Sequence, residues 1–78
     1  VKELKVKLDS IDDVKEFVAL TNKYAFEIDL VSGRYAVDAK SIMGIFSLDL
    51  SKSLALVVHT DNAQEREDFI EEAEKFLA

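Results

Sequence analysis

Leu4, Val6 and Leu8 alternate with Glu3, Lys5 and Lys7, the two-residue period of a strand buried on one face. The pattern predicts a first strand over Lys2 to Leu8. Asp9 and Ser10 follow, both side chains that cap helices, and Asp12 and Asp13 put negative charge in a first turn, where the helix dipole favours it. Ser10 with Asp13 three residues on approximates a capping box, with Asp replacing the usual Glu. Ile11, Val14, Phe17, Val18 and Thr21 then fall on one face of a helix ending near Lys23.

Strand periodicity returns with Phe26, Ile28 and Leu30 against Glu27 and Asp29. Ser32-Gly33 reads as a turn, and Tyr35 and Val37 as its hairpin partner. Ser41 to Ser47 reads as a short helix and Asp49-Leu50-Ser51-Lys52 as a connection. Leu54 to Thr60 is an apolar run of strand type, with Leu56 and Val58 on its core face. Asp61 or Asn62 caps a last helix whose stripe is Ala63, Phe69, Ile70, Ala73, Phe76 and Leu77. Tyr24 and Tyr35 read as aromatics at the edge of the core, hydroxyls outward.

The order strand, helix, strand, strand, short helix, strand, helix implies an α+β fold. The expected architecture is a two-layer open-faced sandwich, a four-stranded antiparallel sheet with helices on one face. No proline, repeat or low-complexity stretch interrupts residues 1–78, so one domain is expected throughout.

Composition removes several function classes. No cysteine is present, which leaves neither a disulfide framework nor a thiolate metal site. Sixteen acidic residues against ten basic ones give a formal charge of −6, which disfavours nucleic acid and anionic membranes. No apolar run reaches the ~18 residues of a membrane span, and Val1-Lys2-Glu3 does not open a signal peptide. A cytoplasmic protein without cofactor or metal is expected, and not an enzyme. Its charge suits a basic protein partner.

Chemistry-bearing residues are few. The one histidine, His59, sits opposite in phase to Leu56 and Val58, so it points to the solvent side of the sheet near Lys5, Lys7, Glu27 or Asp29. No carboxylate shows ligand spacing around it. Ser41 reads either as a capping serine or as a modification site, since a phosphate at a helix start is stabilised by the dipole and free amides. Ile42 and Phe46, four apart, fit an inward pair or, with Met43, an exposed apolar patch. Ile45 and Leu48 read as core.

The segment Asp38-Ala39-Lys40-Ser41-Ile42-Met43-Gly44-Ile45-Phe46-Ser47-Leu48 resembles the regulatory-serine region of the phosphocarrier HPr family, which relays phosphoryl groups in bacterial sugar uptake. Asp12-Asp13-Val14-Lys15-Glu16-Phe17-Val18 and Glu27-Ile28 are similar to its first helix and second strand. The resemblance spans essentially the whole chain and implies the HPr fold. It implies that Ser41 is the site of a dedicated kinase and that Ile42, Met43, Phe46 and Ser47 meet partners. Those partners would be enzyme I, EIIA-like proteins, HPr kinase or a transcriptional regulator.

The family's active loop reads Gly-x-His-x-Arg-Pro before the first helix. Here that passage is Leu8-Asp9-Ser10-Ile11-Asp12-Asp13. Counted from Ser41, the histidine position falls on Ser10 and the arginine position on Asp12. A hydroxyl without an adjacent base is a poor acceptor. Asp12 and Asp13 would repel an incoming phosphate by about 1–4 kcal/mol per unit charge at ~4 Å. The resemblance therefore implies an HPr-like protein of the sugar phosphotransferase system that works by contact or through Ser41 phosphorylation. A carrier with an unorthodox acceptor, Ser10 or His59, is the second expectation, told apart by labelling with phosphoenolpyruvate. An unrelated two-layer binding module is the third, told apart by strand order.

Overall fold

A computed structural model describes residues 4–78. The strands are β1 (Leu4–Val6), β2 (Glu27–Ser32), β3 (Tyr35–Asp38) and β4 (Leu54–His59), and the helices α1 (Ile11–Thr21), α2 (Ile42–Phe46) and α3 (Ala63–Glu72). A 3-10 turn over Glu74–Phe76 follows α3. Lys2 and Glu3, the expected start of the first strand, lie outside the described residues.

The sheet has the order β1-β4-β2-β3, antiparallel throughout, with Leu30 aligned to Leu56 and Leu56 to Leu4. Val6, Ile28, Leu30, Leu54, Leu56 and Val58 are buried on one face, as the alternation predicts. Against them pack Val14, Phe17 and Leu20 of α1, Ile45 of α2 and Phe69 of α3, in one apolar cluster. Phe17 meets Phe76 edge-on at 5.3 Å, and Tyr24 and Phe26 both meet Phe69, so aromatic rings fasten the 3-10 turn to α1 and α3 to the connection between α1 and β2. The expected α+β two-layer sandwich is the observed fold.

Departures from the sequence reading are local. Ile11 opens α1 and is 61% exposed, not core, because its stripe neighbours Val14 and Phe17 begin a turn later. Ala63 is likewise exposed at the first position of α3. Tyr35 is 68% exposed on the outermost strand, where no further strand covers it. Ser32 ends β2 and pairs with Tyr35, so Gly33-Arg34 forms the two-residue hairpin loop. Gly33 has φ +61°, the positive value a turn of this length needs at its first position. The apolar stripe of the last helix is divided: α3 stops at Glu72, Phe76 lies in the 3-10 turn, and Leu77 pairs antiparallel with Val6.

Candidate functional site

Lys7 to Ser10 carry the chain from β1 into α1. Ser10 is the N-cap, with extended backbone, and its Oγ accepts the amide hydrogen of Asp13 at 3.1 Å. Asp13 answers through Oδ2, which accepts the amide of Asp9 at 3.0 Å. The expected capping box thus forms, displaced by one residue on its return bond. Two donors at the helix mouth are therefore engaged by the chain's own side chains. Lys7 extends its ammonium to Asp9 Oδ1 at 2.7 Å and to the carbonyl of Leu50 at 3.0 Å. The sequence reading assigned Lys7 no such role; its place two residues before Asp9 was the available signal.

A shallow pocket joins this region to the end of α2, with Lys7, Ser10, Ile11, Phe46, Leu50 and Ser51 among its lining residues. The Ser10 position and Phe46 are thus neighbours across one depression. Close by, the hydroxyl of Ser51 at 2.6 Å and its amide at 3.1 Å both donate to Asp49. Those bonds hold the Asp49 carboxyl below its usual range, with Lys52 and Lys7 adding to the effect.

Ser41 caps the other end of α2, its Oγ accepting the amide of Gly44 at 3.1 Å. Glycine is suited here: a Cβ on residue 44 would lie 3.3 Å from Ser41 Oγ and 3.4 Å from Val37 Cβ. On the surface of α2, Met43 is 76% exposed and Phe46 41%, while Ile42 is half-buried against the core. Ser47 is exposed and serves as C-cap. Ile45 is fully buried and Leu48 half-buried.

His59 stands elsewhere. Its Nε2 lies 2.8 Å from Asp29 Oδ2, on the sheet face away from the helices. β1 leads into α1 beside Leu54, which pairs with Val6, and His59 is five residues further along β4. At about 3.3 Å per residue that is ~17 Å away, on the opposite face. The histidine and the Ser10 position are not brought together. Among the described residues no group of His, Asp and Glu is arranged to hold a metal ion.

The family model described as the PTS HPr component phosphorylation site matches residues 13–78. The chain belongs to the HPr family. The family is the phosphocarrier component of the phosphotransferase system, and its fold fits the strand order found here. HPr-C-His from Thermoanaerobacter tengcongensis superposes with a TM-score of 0.73 over 96% of this chain and 92% of its own, at 24% identity. That similarity bears on the fold of this HPr-family chain. No curated protein matches it. Among the described residues no helix is long and apolar enough to cross a membrane.

Proposed function

We propose that this HPr-family chain carries no phosphate on histidine and acts in the phosphotransferase system through contact with other proteins, under control of Ser41. One observation carries the reading. Ser10, on which the family's acceptor position falls when counted from Ser41, is held in a cap with Asp13, with Asp9 before it and Asp12 two residues after it. Carboxylates at that point resist an incoming phosphate, and the engaged amides of Asp9 and Asp13 are withheld from it. The single imidazole is committed to Asp29 on the far face of the sheet.

The contact surface of this reading is Ile42, Met43, Phe46 and Ser47, beside the pocket that Ser10 shares with Phe46. Exposed methionine and aromatic side chains give adaptable apolar contact. A phosphate on Ser41 retains an acceptor for the Gly44 amide and adds about −1.5 to −2 charge beside the patch, which changes partner choice without unfolding α2. The partners are of phosphotransferase type: enzyme I, an EIIA-like protein, HPr kinase or a transcriptional regulator. The protein acts as one domain, in the cytoplasm and without catalysis of its own.

The test is incubation with phosphoenolpyruvate and enzyme I. The expected result is no acid-labile phosphoryl adduct. Transfer to His59, or a stable adduct at Ser10, would replace this reading with that of an active carrier.

A further inference from the structure

β3 is an outer strand, and among the described residues nothing pairs with its far side. Ala39 donates its amide to the Ile28 carbonyl at 2.8 Å, which fixes the alternation along the hairpin. Val37 and Tyr35 therefore direct their main-chain groups at β2, opposite Leu30 and Ser32. Ala36 and Asp38 direct theirs outward. The Asp38 carbonyl accepts the Ser41 amide at 3.0 Å, but the N–H and C=O of Ala36 and the N–H of Asp38 meet no partner in the described chain. Side chains follow the same phase. Val37 shares the helix face with buried Leu30, as does Tyr35, while Ala36 and Asp38 stand on the open face with Arg34 in phase before them. Arg34 is exposed and makes no ion pair or hydrogen bond among the described residues. Asp38 Oδ1 accepts the Lys40 amide at 2.9 Å, and Oδ2 is unbonded.

We propose that β3 pairs antiparallel with β3 of a second copy, about a two-fold axis at Ala36. Each Ala36 N–H then donates to the Ala36 carbonyl of the other copy, and the two sheets become one. In that register Arg34 of each copy stands opposite Asp38 of the other, both on the open face. Tyr35 stands opposite Val37 on the helix face, at a position without ladder bonds, where side chains approach most closely. The 68% exposure of Tyr35 is what such a pair would cover. Charge selects the register: moving the axis by one residue sets Arg34 against Lys40 or against Ala36, and only the Ala36 axis gives it a carboxylate. The helix rim leaves room. α2 turns Gly44 toward Val37, and Ser47 shares a depression with Tyr35, so small residues border the strand. Stable complexes bury about 800 Å² per partner, and a strand this short covers far less, so the association is a weak one.

The experiment is a dilution series of the intact protein from about 2 mM to about 0.05 mM, followed by amide NMR and sedimentation. Salt of about 0.15 M screens the long-range repulsion between copies of charge −6. Concentration-dependent shifts are expected at Tyr35, Ala36, Val37 and Asp38, and not at Ile11 or Phe46. Exchange of the Ala36 amide should slow as the dimer fills. Arg34→Asp and Asp38→Arg should each weaken association at least about tenfold, by setting like charges opposite each other. Mixing the two variants makes both cross-pairs opposite in sign and should restore association between unlike copies. Ala36→Pro removes the central donor but none of the sheet's own bonds, and should give a folded monomer. A wild-type monomer at every concentration overturns the proposal. Shifts centred on Ile11, Met43 and Phe46 overturn it too, by assigning the contact to the helical side. Association that survives Ala36→Pro, or a mixture of folded charge variants that stays monomeric, overturns it as well.

Discussion

Thr21 donates its hydroxyl hydrogen to the carbonyl of Ala39 at 2.9 Å, with the Val18 carbonyl at 3.0 Å also within reach. Thr21 is fully buried, and the bond ties the last turn of α1 to the residue two before the Ser41 cap. Thr21→Val preserves the shape and strands that carbonyl. A loss of about 1–3 kcal/mol is expected in urea unfolding, with Thr21→Ser recovering most of it. Hydrogen exchange at Gly44 and Ile45, whose amides bond to Ser41, should quicken in Thr21→Val ahead of the sheet amides.

The two readings of Ser41 make different demands on its substitutions. As a cap, Ser41→Ala costs about 1 kcal/mol, whereas Ser41→Asp is tolerated or slightly stabilising because a carboxylate also caps and favours the dipole. Chemical denaturation measures both. A loss beyond ~1 kcal/mol in Ser41→Asp would mean that the Gly44 amide requires more than an acceptor oxygen.

Ile11 and Phe17 test where the core begins. Ile11→Ser should leave stability within about 0.5 kcal/mol, as for surface positions, whereas Phe17→Ala should remove about 3–5 kcal/mol. Thermal melts distinguish them. If the exposed Ile11 belongs to a partner-binding surface, its substitution weakens binding at unchanged stability.

The pair Tyr24–Glu72 gives stability a pH dependence of known sign. Tyr24 donates to the Glu72 carboxylate; that bond, with burial and the nearby charge, pushes the phenol from 10.0 up to about 12. Its folded-state pKa is raised, so this contribution is whole below the unfolded value near 10 and is lost as pH climbs toward 12. The Lys23 ammonium first, then the Tyr24 hydroxyl, hold Glu72 below its usual range. That contribution is present above the ordinary carboxylate pKa and is lost on acidification. Tyr24→Phe should flatten the alkaline decline and shorten the acid one. Urea midpoints across pH report both limbs, and an unchanged alkaline slope in Tyr24→Phe would contradict the assignment.

Much of the fold was legible because alternation and helical spacing name a buried face directly. Leu30, Leu56 and Val58 lie where their phase puts them, and Ser10, Ser41 and Asn62 all cap helices through their side-chain oxygens. What periodicity could not convey was where a stripe starts or stops. Ile11 and Ala63 match their stripes in phase but sit at first-turn positions beyond the edge of the core. The break after Glu72 had no glycine or proline to announce it. The position of Ser10 was readable from its capping chemistry, but Lys7's reach to Leu50, 43 residues away in sequence, depends on tertiary packing.

Leu77 lying against Val6 has a practical corollary. Lys7 donates its amide to the Phe76 carbonyl at 2.8 Å, and Ala78 donates to the Lys5 carbonyl at 2.8 Å, so the tail finishes the border of β1 as a short selvedge. Trimming the chain after Phe76 would spare the aromatic anchor yet bare the main-chain groups of Lys5. A border left raw in this way invites a neighbouring molecule to stitch on, so the shortened protein would be the more aggregation-prone of the two.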